Sequence, residues 1–150
     1  MSKPLSFNTI EIIKATIPVL QQHGVEITTR MYERLFADPE IKALFDEAAQ
    51  KTGEQPRRLA EAILIFATHV DNLEVIQSAL EKICARHVAR HVKAEHYSAV
   101  ATALLAAIRD VLGDVATDSV LQAWGEAYWF LADILIDREK ALYASQPAGV

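Results

Sequence analysis

The sequence predicts an all-α fold, and three observations predict it. Apolar residues recur at helical spacing along nearly the whole chain. No strand-length run alternates strictly between apolar and polar residues. Glycine and proline number five each in 150 residues, too few for the turns of a sandwich or barrel.

Ser6 is placed to cap a first helix with the stripe Ile10, Ile13, Ile17 and Leu20. Its expected end is His23-Gly24, where glycine permits a left-handed cap. Pro18 removes one intrahelical bond, which predicts a kink or an early end there. A second helix is expected to run to about Ala37, with Ile27, Met31, Leu35 and Phe36 facing inward, until Asp38-Pro39 stops it. Ile41 to Phe45 reads as a short helical turn. From Asp46 to Glu54 the apolar period is lost, and a mobile loop is expected. Helical spacing resumes after Gln55-Pro56, where proline suits a first turn, with Leu59, Ile63, Phe66 and Val70 as the stripe. Asp71-Asn72 breaks it, and Leu73, Ile76, Leu80, Ile83 and His87 form the next. Tyr97, Val100, Leu104, Ile108 and Val111 line a helix that ends at Gly113. The last helix enters near Thr117-Asp118 and carries Val120, Trp124, Tyr128, Leu131, Leu135, Glu139 and Leu142. At about 1.5 Å per residue it is close to 40 Å long. The tail from Ser145 is expected to fray, and with no repeat or linker residues 1–150 are expected to form one domain.

The charge balance is 15 Lys+Arg against 20 Asp+Glu, a net −5 with a pI near 5.5, unlike the basic footprint of a nucleic-acid binder. With 51% hydrophobic and 23% charged residues, the chain is not of the disordered class. The longest stretch free of Asp, Glu, Lys and Arg runs from His96 to Ile108, well below the roughly 20 residues of a spanning helix. The N-terminus has no apolar segment of the secretory type, and Cys84 is the single cysteine. A cytoplasmic protein without an integral membrane segment is expected.

The informative positions are polar side chains on apolar stripes, because a buried polar group without a partner costs about 1–3 kcal/mol. They are Tyr32, His87, Tyr97 and Glu139. Taken singly, each has an ordinary role: a core histidine making a structural hydrogen bond, tyrosines whose hydroxyls reach the surface, a solvated glutamate near a helix end. Taken together, His87, Tyr97 and Glu139 could form a metal-ligand arrangement if their helices converge. A neutral imidazole that binds metal through one nitrogen donates from the other, and a carboxylate or hydroxyl acceptor there fixes its tautomer.

Several segments carry a family resemblance: IIKATIPVL at Ile12–Leu20, HGVEITTRMYERLFADPE from His23, EQPRRLA at Glu54–Ala60, HVDNLE at His69–Glu74, EHYSAV at Glu95–Val100 and AWGEAY at Ala123–Tyr128. In that order they resemble the globin domain of bacterial flavohaemoglobins, most nearly the single-domain bacterial haemoglobins of the Vitreoscilla type. The resemblance covers about residue 9 to Ala144.

It implies a globin fold, a 3-over-3 helical sandwich around one haem b (iron protoporphyrin IX). His87 takes the proximal position as iron ligand, with Tyr97 and Glu139 as its network. Phe45 matches the phenylalanine that stacks on the porphyrin, Tyr32 and Gln55 the distal polar pair, and Leu59 the apolar wall beside them. Val100, Trp124 and Tyr128 align with pocket positions where core packing is an equal reading. Arg86 stands where a cation meets a haem propionate, with a solvated surface charge as the alternative. Met31 replaces an aromatic residue beside Tyr32, and Trp129 a small residue after Tyr128. His91, one turn beyond His87, competes as ligand, but stripe and motif both favour His87. Of the remaining histidines, His23 is expected at a helix end, His69 beside the stripe and His96 exposed at a helix start.

The resemblance implies reversible binding of dioxygen, with other diatomic ligands such as NO and CO. The alternative is a nitric oxide dioxygenase. Relatives with that activity carry a flavin- and NAD(P)H-binding reductase domain, whereas this chain stops at Val150 without a G-x-G-x-x-G turn. Multi-turnover dioxygenase or peroxidase chemistry is therefore expected to draw electrons from a separate NAD(P)H-dependent reductase. A homodimer is also implied by likeness.

Overall fold

Ser6 Oγ accepts the Thr9 N–H at 3.1 Å and opens α1, Phe7–Ala15. The computed structural model describes residues 5–43, 54–90 and 92–145. The first helix ends at Thr16 rather than at Gly24, and α2 spans Ile17–Leu35 without interruption. Pro18 thus falls in a first turn, where no intrahelical N–H is missed. Gly24 lies buried inside α2, where a Cβ would meet that of Ala60 at 3.4 Å. Gly24 does not take up the positive φ of a cap, so the helix runs through it. His23 likewise sits within α2, where Nδ1 pairs with Glu26 at 3.0 Å.

Asp38 caps α3, Pro39–Lys42, by accepting the Glu40 N–H at 3.0 Å. Phe45, His91 and the segment expected to be a mobile loop lie outside the described residues, save that Glu54 already belongs to α4, Glu54–Thr68. Glu54 pairs with Arg58 one turn on, an arrangement that suits a first turn. After a 3₁₀ turn at Leu73–Ile76 come α5, Gln77–Ala89, and α6, Ala94–Leu112. Gly113 ends α6 with φ +55°, a conformation that favours glycine. A second 3₁₀ turn, Gly113–Val115, leads to α7, Asp118–Ala144, whose cap Thr117 accepts the Val120 N–H at 3.2 Å.

Among the described residues every element is helical, and they pack in two layers. In one, α6 lies between α2 and α7. Facing it, α1 and α5 pack on α7, and α4 packs on α2. This is the expected all-α, 3-over-3 arrangement. No helix among the described residues is long and apolar enough to cross a membrane.

The interior is divided. The larger cluster joins Ile13, Ile27, Met31, Leu35, Phe66, Leu104 and Trp124, among others. The smaller joins Ile76, Leu80, Cys84, Tyr97, Ala132 and Leu135 under α5. Leu73, Tyr128 and Leu131 are only partly buried and touch both. Burial of each large apolar side chain contributes about 1.5–3 kcal/mol, so both clusters help to hold the layers together.

Candidate functional site

His87 is in the last turn of α5, Tyr97 in the first turn of α6, and Glu139 near the end of α7. All three helices converge on the smaller cluster, and the three side chains meet there. His87 Nδ1 lies 2.8 Å from Glu139 Oε2 and 3.0 Å from the Tyr97 hydroxyl. That hydroxyl donates to Glu139, with 2.9 Å and 2.8 Å to its two oxygens. Glu139 is only 3% exposed, so the reading of a solvated glutamate does not hold. A buried carboxylate requires donors, and here the phenol and the imidazole supply them.

The geometry fixes the tautomer. An ionised carboxylate only accepts, so the hydrogen between His87 and Glu139 sits on Nδ1, and in the neutral imidazole the lone pair is then on Nε2. Among the described residues Nε2 has no hydrogen-bond partner, while 32% of the His87 side chain is exposed. A basic nitrogen is thereby aimed away from the network. Burial, reinforced by the Glu139 charge, pushes the Tyr97 hydroxyl far above its ordinary range, so it remains a donor.

A second polar pair lies on α2 and α4. Gln55 Nε2 donates to the Tyr32 hydroxyl oxygen at 3.4 Å. Burial pushes the Tyr32 phenol up, and the Gln55 bond lowers it only in part, so Tyr32 keeps its proton. Tyr32 is buried beside Met31 and Leu35, and its ring lies 5.5 Å from that of Phe36. Gln55 and Leu59 are half-buried one helical turn apart on α4.

The other expected site residues divide. Val100 and Tyr128 are half-buried against the larger cluster. Trp124 is core: 3% exposed, its indole N–H on Thr16 Oγ1 at 3.2 Å. Arg86 is exposed. Trp129 points outward at 38% exposure and meets the Tyr128 ring edge-on. His69 is half-buried just past α4, and His96, half-buried rather than exposed, accepts the Lys93 N–H at Nδ1 at 2.9 Å. Two residues touching this corner were not singled out for it: Tyr128 donates to the Tyr97 carbonyl at 2.6 Å, and Tyr143 to the Val92 carbonyl at 2.7 Å. Aromatic residues with a polar tip late on an apolar helix are the only sequence signal for them.

Among the described residues no three His, Cys, Asp or Glu side chains group as a metal cluster. The site offers one imidazole nitrogen, beside a helical interior split into two apolar clusters. That donor set fits a metal whose other ligands come with a flat, apolar organic group, as in haem, where the protein supplies a single axial nitrogen.

Comparison with known proteins decides the family. The family profile described as Globin matches residues 29–135. The chain belongs to the globin family. This globin is 54% identical over 142 residues to a flavohemoprotein of Xylella fastidiosa, covering 95% of the chain and 36% of that relative. It therefore spans about a third of the length of the flavohemoproteins it matches. Among solved structures, a bacterial globin from Campylobacter jejuni is 40% identical with a TM-score of 0.88, covering 93% of this globin and 100% of that chain. A putative nitric oxide dioxygenase from Rhodothermus marinus, engineered as a carbene transferase, is 39% identical with a TM-score of 0.87, over 93% and 96% of the two chains. A flavohemoglobin from Malassezia yamatoensis, with bound FAD and heme, is 34% identical with a TM-score of 0.90, over 99% of this globin and 40% of that chain.

Proposed function

We propose that this globin holds haem b through His87 Nε2, as one globin domain, and binds dioxygen reversibly. The observation that carries the reading is the hydrogen bond from His87 Nδ1 to the buried Glu139 carboxylate, which leaves Nε2 as a lone-pair donor. The heme bound by the Malassezia relative supports it. When bound, the haem iron supplies a site for diatomic ligands: dioxygen, NO or CO.

The chain's own residues do the rest. Glu139 and Tyr97 hold the Nδ1 hydrogen, orient the ring and make its other nitrogen more basic. Tyr32 and Gln55 stand as the polar pair on the opposite side and donate to partial negative charge in a dry setting. Leu59, Val100 and Tyr128 serve as apolar walls, and exposed Arg86 is available to a propionate. A cytoplasmic location agrees with the single cysteine.

One observation favours a second reading. A charged carboxylate behind the proximal imidazole suits reactive chemistry, and the Rhodothermus structure belongs to a putative nitric oxide dioxygenase. Turnover of that kind takes electrons from an NAD(P)H-dependent reductase, fused or separate. One experiment orders the readings. The purified protein, loaded with haem, is titrated with dioxygen, then with NO, first in single turnover and then with a flavin reductase and NADH. Reversible dioxygen binding that is lost in His87→Ala is the expected result. Sustained NO consumption selects the dioxygenase. A protein that takes up no haem refutes both.

A further inference from the structure

His87 and Tyr97 flank a short connection, Arg90 to Lys93, between α5 and α6. The side chains of both residues are held by one acceptor, Glu139 of α7. Their main chains are also held from α7. Tyr128 donates its hydroxyl to the Tyr97 carbonyl at 2.6 Å. Tyr143 donates to the Val92 carbonyl at 2.7 Å, and the Val92 N–H in turn donates to the His87 carbonyl at 2.9 Å. Tyr143 lies four residues after Glu139, on the same face of the helix, so a single turn of α7 grips His87 at its ring and at its main chain.

We infer that Tyr128 and Tyr143 are positioning residues that aim the His87 imidazole by fixing the main chain of the α5–α6 corner against α7. A helix C-terminus is otherwise prone to fray, and a ring hung from it turns with the backbone beneath it. Glu139 alone sets the ring's hydrogen bond but does not fix the Cα from which the ring projects. The two tyrosines supply that second constraint, because a phenol bound to a carbonyl restrains the peptide rather than the side chain. Both hydroxyls are pushed up by burial, so both remain protonated and able to donate.

The inference rests on the haem reading above, and its test separates the two. Haem-loaded, ferrous, ligand-free protein is compared with Tyr128→Phe, Tyr143→Phe, the double variant and Glu139→Gln by resonance Raman spectroscopy of the iron–histidine stretch. Phenylalanine keeps the ring and removes only the hydroxyl. Each single variant is expected to shift the band in the direction of Glu139→Gln and by less, the double variant by more than either. Thermal unfolding is followed in parallel, because a loss of stability with an unmoved band is what a purely structural role gives, and it overturns the inference. A wild-type protein with no iron–histidine band refutes the haem reading instead. The inference is then read from the imidazole ¹⁵N resonances of His87 in that same protein. Displaced resonances in the two variants uphold it and unchanged ones overturn it.

Discussion

Trp124 Nε1 donates to Thr16 Oγ1 at 3.2 Å, joining the second turn of α7 to the single residue that separates α1 from α2. The Thr16 hydroxyl in turn donates to the Ile13 carbonyl at 2.6 Å, so one buried oxygen serves both the helix break and the indole. Thr16→Val keeps the shape and removes that oxygen, leaving a buried indole N–H unpaired. The expected cost is about 1–3 kcal/mol, with Thr16→Ser nearly neutral, measured by denaturant unfolding. Equal losses in the two variants would show that the methyl group, not the hydroxyl, matters.

The same residue shows where the sequence stops being legible. Ile13, Ile17 and Leu20 keep helical spacing straight through the break, so periodicity joins two helices that the chain separates at one residue. Gly24 has the residue type of a cap, yet the helix runs through it and carries it to a crossing with Ala60 of α4. From α4 onward the helices lie close to where the stripes place them, and Asp71-Asn72, Gly113 and Thr117 mark three of the breaks. Val70 nevertheless falls past the end of α4, Leu73 and Ile76 sit in a separate 3₁₀ turn, and Leu142 is exposed rather than inward. At the site, His87, Tyr97 and Glu139 were visible as polar groups on apolar stripes. Tyr128 and Tyr143 act on main-chain carbonyls, which no side-chain pattern reports.

Replacing Glu139 by glutamine keeps an acceptor for the Nδ1–H and the Tyr97 hydroxyl but removes the charge. Charge-assisted bonds are about twice as strong as neutral ones, so a stability loss of about 1–3 kcal/mol is expected. In haem-loaded protein the less basic imidazole is expected to raise the Fe(III)/Fe(II) potential, read by spectroelectrochemical titration. Glu139→Leu should cost more than the glutamine variant, because it strands both donors, each at about 1–3 kcal/mol when buried. An unchanged potential in the glutamine variant would remove the carboxylate from any electronic role.

In the proposed reading Tyr32 and Gln55 face the bound ligand, and Gln55 donates to the Tyr32 oxygen, a bond that does not use the phenol's own hydrogen. If that hydrogen goes to bound dioxygen, Tyr32→Phe removes a donor worth about 1–2 kcal/mol, and dissociation speeds by roughly tenfold. Stopped-flow release from the oxygenated protein measures it. Unchanged release in Tyr32→Phe, with acceleration in Gln55→Leu, would assign the donor to Gln55.

Cys84 is buried one turn before His87, its Sγ 3.9 Å from the Leu135 carbonyl. Burial first, and the Glu139 charge second, push its thiol from an ordinary value near 9 up to about 11. The folded protein thus favours the neutral thiol. That contribution to stability is fully present below about pH 9 and is lost as pH rises through about 11. Unfolding free energy should fall across that window, and Cys84→Ala should flatten the slope. At pH 8 alkylation by iodoacetamide, followed by mass spectrometry, should be slow in the native protein and complete after unfolding.

Gly24 offers a gain in stability. It sits in the interior of α2, where glycine costs about 0.5–1 kcal/mol relative to alanine. A methyl group there would lie 3.4 Å from Ala60 Cβ, at the near edge of ordinary contact. Gly24 also borders a small apolar cavity of about 10 Å³ together with Leu20, Ile27, Leu104 and Trp124. A methyl group beside that space can gain dispersion contacts with its apolar lining. Gly24→Ala is therefore expected to raise stability by about 0.5–1 kcal/mol, seen as a higher denaturation midpoint at unchanged slope. Gly24→Val, which carries two further methyls toward Ala60, should reverse the sign by forcing α2 from α4. A destabilised alanine variant would mean that the helices have no room to yield at this crossing, and that glycine is required there for contact distance alone.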